Sequence, residues 1–197
     1  MKQILMMAFV ALLALNSFAQ AQDSPRIAPD FTATDTKGAP QSIAQYKGKI
    51  VVLEWTNPEC PYVKKHYGSG SMQALQKTAT ADGVVWLRIN SGAPGKQGHQ
   101  TPAEFDATAT DVTANIIDET GTIGKLYHAK TTPHMFVIDK NGIIAYEGAI
   151  DDKPTTDADD LKDARNYVKD VLDDLKNDRT IGLGPTQPYG CGIKYAD

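Results

Sequence analysis

The sequence predicts an α/β fold: a mixed central sheet flanked by helices, with a short β extension on its N-terminal side. Three observations carry that expectation. Apolar runs at residues 50–53 and 84–89 have the length and flanking turn residues of buried strands. Helix-patterned stretches follow these strands, an alternation that builds parallel sheet. Two further apolar runs are joined by Lys140-Asn141-Gly142, a tight-turn signal for an antiparallel hairpin whose central residues tolerate positive φ.

The chain does not begin with fold. Met1 and Lys2 open a short basic end, residues 4–15 are nearly all apolar, and Ala19-Gln20-Ala21 is a small-x-small site. The run is too short to span a bilayer with ease. Residues 1–21 therefore read as a secretory signal peptide cleaved after Ala21, with cleavage after Ala19 as the alternative. The mature chain, residues 22–197, has the size of one domain with a full core. It divides into a domain at 22–180 and a Gly/Pro-rich tail at 181–197 carrying Cys191. No membrane span is expected in the mature form, and no cysteine at the cleavage point indicates a lipid anchor. Net charge is −4 without a basic cluster, which argues against nucleic acid as a partner. Export, most simply to a periplasm, leads to an oxidising compartment where Cys60 and Cys191 could pair.

In order, residues 23–29 read as a flexible leader. Residues 30–35 alternate in the strand manner, Lys37-Gly38 turns, and 41–43 returns. The run IVVL at 50–53 is the central strand. Pro58 and Pro61 frame a turn, and Pro61 suits a first helical position because its missing N–H would have no partner there. Ser71 is placed to cap a helix to about Thr80 with Met72, Leu75 and Ala79 on one face. After the strand at 84–89, residues 91–100 form a glycine-rich loop expected to be mobile. Thr101, Pro102 and Glu104 then start a short helix. A strand at 115–118, a helix at 121–128 and strands at 135–138 and 143–146 follow. Residues 157–176 read as one amphipathic helix, with Leu161, Ala164, Val168, Val171, Leu172 and Leu175 as its apolar stripe. This element order is a thioredoxin-like arrangement.

The chemistry centres on Cys60. At the mouth of a helix, free N–H groups and the macrodipole favour a thiolate, the nucleophilic form of cysteine. Lys64 and Lys65 lie nearby to help, and Glu59 would oppose if it pointed inward. The other reading is a buried, inert cysteine. Cys191 sits in a Gly-flanked tail that could fold back over the site, as disulfide partner or as resolving thiol. The aspartates at 151, 152 and 157–160 lack calcium-loop spacing, and no metal or other cofactor is expected.

Two stretches resemble a known family over nearly all of the mature domain. The segment APDFTATDTKGAPQSIAQYKGKIVVLEW is similar to the opening of the redoxin, or AhpC/TSA, family, and TTPHMFVIDKNGIIAYEGAID to the second half of a thioredoxin fold. A peroxiredoxin-like branch carries Cys-x-x-Cys-Pro-Tyr-Val-Lys at its active site; here the matching residues begin with Asn57, so only Cys60 of that pair remains. The resemblance implies a cis Thr132–Pro133 bond facing Cys60, with Thr132, Pro133, Asn57 and Trp55 positioning substrate. It implies an exported thiol oxidoreductase that acts on peroxide or disulfide substrates and is reset by an external thiol. Typical peroxiredoxins place threonine three residues and proline seven residues before the reactive cysteine, where this chain has Asn57 and Leu53. Arg88 is the best-placed counterpart of their activating arginine. The rival reading is a non-catalytic binding module such as a copper chaperone, built on the two cysteines with His66 and His134.

Overall fold

The computed structural model describes residues 25–108 and 111–197. The expected export segment at 1–21 lies outside these. Its first strands, β1 (Ala33–Thr34) and β2 (Pro40–Gln41), pair antiparallel as the small extension. There follow β3 (Val51–Trp55), α1 (Pro61–Gly68), α2 (Ser71–Ala81), β4 (Val85–Asn90), α3 (Pro102–Ala107), β5 (Ala114–Ile117) and α4 (Thr122–Leu126). The second half holds β6 (Thr131–Thr132), β7 (His134–Ile138), β8 (Ile144–Gly148), α5 (Tyr167–Lys176) and β9 (Cys191–Gly192).

The main sheet runs β5-β4-β3-β7-β8, with β3, β4 and β5 parallel and β7 and β8 antiparallel. This is the expected mixed sheet, and the fold is thioredoxin-like. Because side chains alternate across a strand, β3 divides its residues between two cores. Val51, Leu53 and Trp55 pack with Ile89, Ile116, Tyr127 and Phe136 on one face. Val52 packs with Met72, Trp86, Val137, Val168 and Leu172 on the other. Glu54 also turns to this second face, where it accepts from Tyr67 Oη at 2.5 Å, Gln76 Nε2 at 2.8 Å and Trp86 Nε1 at 2.8 Å. A buried carboxylate is costly unless its lone pairs are satisfied. Here the donors come from α1, α2 and β4, so satisfying Glu54 ties both helices to the sheet.

Several local expectations are corrected. The leader is not free, since Arg26 O accepts from Ile144 N at 2.8 Å and Ala28 N donates to Gly142 O at 2.8 Å. In the turn between β7 and β8, residues 139–143, only Gly142 has positive φ, at 82°. Asp139 Oδ1 accepts from Asn141 N at 2.9 Å and Ile143 N at 2.8 Å, and the register shifts at Val137/Ile138. The turn is thus set by an aspartate and one glycine. The expected helix at 157–176 is split into a 3-10 turn, Asp159–Lys162, and α5. Asn166 caps α5 by accepting from Lys169 N at 2.9 Å, and Asp151 pairs with Asn166 in a bridge that holds the chain extended there. The loop at 91–100 is pinned: Asn90 Nδ2 donates to Gly98 O at 2.8 Å and Ala93 N to Lys194 O at 2.9 Å.

Candidate active site

Strand β3 ends with Trp55, and the next residues form a turn that Asn57 builds. Its Oδ1 accepts from Glu59 N at 2.8 Å and its carbonyl accepts from Cys60 N at 3.1 Å. Cys60 is the N-cap of α1 with φ −69° and ψ 123°, Pro61 opens the helix, and Cys60 O accepts from Lys64 N at 2.9 Å. The sulfur therefore sits at a helix mouth, as the two prolines imply. It has no exposed surface.

Two segments meet it. The Thr132–Pro133 bond is cis, and Thr132 O accepts from the Cys60 thiol at 3.0 Å. Over this lies the tail: β9 pairs antiparallel with β6, Cys191 opposite Thr132 and Gly192 opposite Thr131. Cys191 N donates to Cys60 Sγ at 3.4 Å. Both cysteines are free thiols here. Residues far apart in sequence are thus neighbours.

The pair divides its proton unequally. Burial pushes the Cys60 thiol up, but the Cys191 thiol, the Cys191 and Val63 amides and the Thr132 side chain together bring it below the ordinary value. Cys191 is pushed up to about 11, first by burial and then by its hydrogen bond and proximity to Cys60. Of the two, Cys60 accordingly gives up its proton more readily, and Cys191 holds its proton more tightly. Replacing Cys191 by alanine removes one donor from the thiolate, so the midpoint of Cys60 alkylation against pH should move upward; an unchanged or lower midpoint would contradict this assignment.

The other expected residues fall into distinct places. Asn57 and Pro133 flank the thiol. Trp55 is wholly buried in the core and its Nε1 donates to Ser91 Oγ at 3.1 Å, so it supports the site from beneath. The Asn57 amide reaches Gln97 O at 3.5 Å. Arg88 is held against Asn115 Oδ1 at 3.3 Å and over the Phe105 ring at 4.4 Å, whereas the polar contacts of Cys60 Sγ are to Thr132 and Cys191. Glu59 is exposed and accepts from Gly98 N at 3.3 Å. Lys65, expected to favour the thiolate, instead faces Asp151 at 3.8 Å.

His134 is a buried acceptor: its Nδ1 takes the Lys130 amide at 3.2 Å, and burial lowers its pKa to about 4. His66 turns toward Tyr189 Oη at 3.3 Å and is likewise lowered to about 4, chiefly by burial. Both imidazoles, which the copper-chaperone reading used as ligands, are thus engaged with protein groups. Among the described residues no group of three or more His, Cys, Asp or Glu is gathered in a metal-binding arrangement. Also among them, no helix is long and apolar enough to cross a membrane.

Sequence reasoning missed how the tail is held. Thr186 Oγ1 accepts from Ala149 N at 3.0 Å, Ile193 N donates to Lys130 O at 3.1 Å, and Tyr195 Oη donates to Ala129 O at 2.8 Å. Tyr189 Oη donates to Asp151 Oδ1. The only advance signal was the spacing of Thr186, Tyr189 and Tyr195 around Cys191 in a glycine-rich stretch.

The AhpC/TSA family model matches residues 26–147, which include Cys60 and Pro133 but not Cys191. A curated relative, the thiol-disulfide oxidoreductase ResA of Geobacillus kaustophilus (strain HTA426), is 32% identical over 122 residues, which cover 58% of this chain and 63% of that protein. The chain thus spans less than two thirds of that relative's length. A solved structure of a hypothetical protein from Sinorhizobium meliloti 1021 superposes with a TM-score of 0.70 at 20% identity, covering 87% of this chain and 94% of the other. An uncharacterized conserved protein from Geobacillus kaustophilus gives 0.71 at 22% identity, over 87% and 92% of the two chains. These two likenesses are of fold.

Proposed function

Because this chain belongs to the AhpC/TSA family, we propose that it is an exported thiol-disulfide oxidoreductase in which Cys60 attacks and Cys191 resolves. The observation that carries this reading is the placement of Cys191 directly on Cys60 by pairing of β9 with β6. The name and sequence identity of the curated relative support the same reaction class. Export rests on the signal-like pattern of residues 1–21.

The Cys60 thiolate attacks a substrate disulfide R–S–S–R′, forming Cys60–S–S–R and releasing R′–S⁻, which takes a proton from solvent. The negative charge on Cys60 is then gone, and with it that part of the elevation of Cys191. Deprotonated Cys191 attacks the Cys60 sulfur, releasing R–S⁻ and closing a Cys60–Cys191 disulfide. The substrate has gained two electrons and the protein has lost them; an external dithiol returns them by the reverse exchange. Since Cys60 has no exposed surface, local displacement of the tail precedes the first attack.

A hydroperoxide would be handled by the same two sulfurs. Cys60 would take one oxygen as sulfenic acid, releasing an alcohol from an alkyl hydroperoxide or water from hydrogen peroxide, and Cys191 would condense with it and release one water. The disulfide is the preferred substrate because Asn57 directs its amide to Gln97 and Arg88 lies against Asn115 and Phe105. The test is peptide mapping without reductant after mild oxidation, with turnover of a protein disulfide under a dithiol reductant. A Cys60–Cys191 peptide together with turnover is expected. Two free thiols and no turnover would overturn the proposal.

A further inference from the structure

Beside the two sulfurs lies a buried polar cluster with no place in the exchange chemistry: Lys65 and His66 of α1, Asp151, and Tyr189 of the tail. The side chains of Lys65 and Asp151 are 0% and 1% exposed, yet their charges stand 3.8 Å apart. So loose a buried pair repays little of its desolvation. The closer contacts are elsewhere. Lys65 Nζ donates to Lys153 O at 2.6 Å, and Asp151 Oδ1 accepts from Lys153 N at 2.9 Å. Tyr189 completes the set. Its hydroxyl donates to Asp151 Oδ1 and lies 3.4 Å from Lys65 Nζ and 3.3 Å from His66 Nε2. Its ring packs on Tyr62 with centroids 5.7 Å apart.

The sequence positions of these contacts give them meaning. Helix α1 carries Cys60 as its N-cap and Lys65 and His66 one to two turns later. The tail carries Tyr189 two residues before Cys191. One helix and one tail segment therefore touch at three points, ring to ring, hydroxyl to charged cluster and amide to sulfur. Fixing the first two contacts fixes where the third falls.

We infer that Tyr189, seated on Lys65, His66 and Asp151, is a positioning residue that returns Cys191 to Cys60 after the tail has lifted to admit substrate. This rests on the exchange reaction proposed above. The tail must move for Cys60 to react, and it must come back in register for Cys191 to reach the Cys60 sulfur. Strand β9 offers only a two-residue pairing for that register. Beside the bonds of Thr186, Ile193 and Tyr195, Tyr189 supplies the anchor that reaches the cluster on α1, the helix bearing Cys60, through a directional, charge-assisted hydrogen bond to a buried carboxylate.

Dithiobis(nitrobenzoate) separates the two steps in the reduced, full-length mature protein. The first coloured thiolate is released when Cys60 attacks, at a rate proportional to reagent. The second is released when Cys191 displaces the aryl thiolate from Cys60, at a rate independent of reagent. Tyr189→Phe keeps the ring contact with Tyr62 and deletes only the hydroxyl. It should slow the second release about tenfold, the scale of one hydrogen bond to a charged group, and leave the first no slower. Tyr189→Ala should slow the second release about a hundredfold, as loss of alignment does. A second release within twofold of the parent rate in both variants would overturn the inference, as would equal slowing of both steps. A parent protein that releases one equivalent and forms no Cys60–Cys191 peptide would instead overturn the exchange reaction itself.

Discussion

Cys60→Ser protein is expected to lose disulfide turnover by at least about a thousandfold, the scale of removing a covalent nucleophile. A hydroxyl cannot form the mixed disulfide, and it stays protonated at any pH where the fold survives. The fold should tolerate the change. Serine is a favoured N-cap, and Cys60 already has the extended backbone of that position. Thermal unfolding of the variant should therefore resemble that of the parent, which separates a chemical loss from a structural one. Cys191→Ser should behave differently: the first attack survives, and the protein accumulates a mixed disulfide on Cys60 detectable by intact mass. Turnover near the parent rate in Cys60→Ser would remove Cys60 from the reaction altogether.

The part of the site that sequence revealed is the part written in local chemistry. An apolar run into Pro58 and Pro61 places Cys60 at a helix mouth because strand burial and proline geometry act on neighbouring residues. The capping box of α3 was legible for the same reason: Thr101 and Glu104 are three residues apart, and each satisfies the other's backbone amide. What stayed hidden was set by distant partners. In KKHY, Lys65 reads as a helper of the thiolate and His66 as part of the metal-binding alternative, and only the fold brings Asp151 and Tyr189 to them. The acidic residues at 157–160 imitate a helix start, whereas the bridge between Asp151 and Asn166 delays α5 to Tyr167. A two-residue strand such as β9 has no periodicity to read, so the return of Cys191 to Cys60 could be suspected from the sequence, but not the pairing with Thr132 that brings it there.

Gly190→Ala should uncouple the two sulfurs more severely than any change at the Tyr189 hydroxyl. Gly190 has φ 127°, a conformation strained for other residues. A β-carbon there would stand 2.0 Å from Thr132 O and 2.8 Å from Thr132 C. Both are backbone atoms of the residue that accepts from the Cys60 thiol, so neither can yield without disturbing the site. The tail must give way instead. The expected cost is about 2–4 kcal/mol of stability, from backbone strain and lost pairing. Closure of the Cys60–Cys191 disulfide should slow about a hundredfold. Alkylation of Cys60 should accelerate in the same variant, because the segment that covers it no longer docks. Gly192→Ala is the matched control: its β-carbon would meet only Lys130 O, at 4.0 Å. Slower closure with faster alkylation at 190, and neither at 192, is what tail docking by β6–β9 pairing requires. Equal behaviour of the two variants would mean that Cys191 reaches Cys60 by another route.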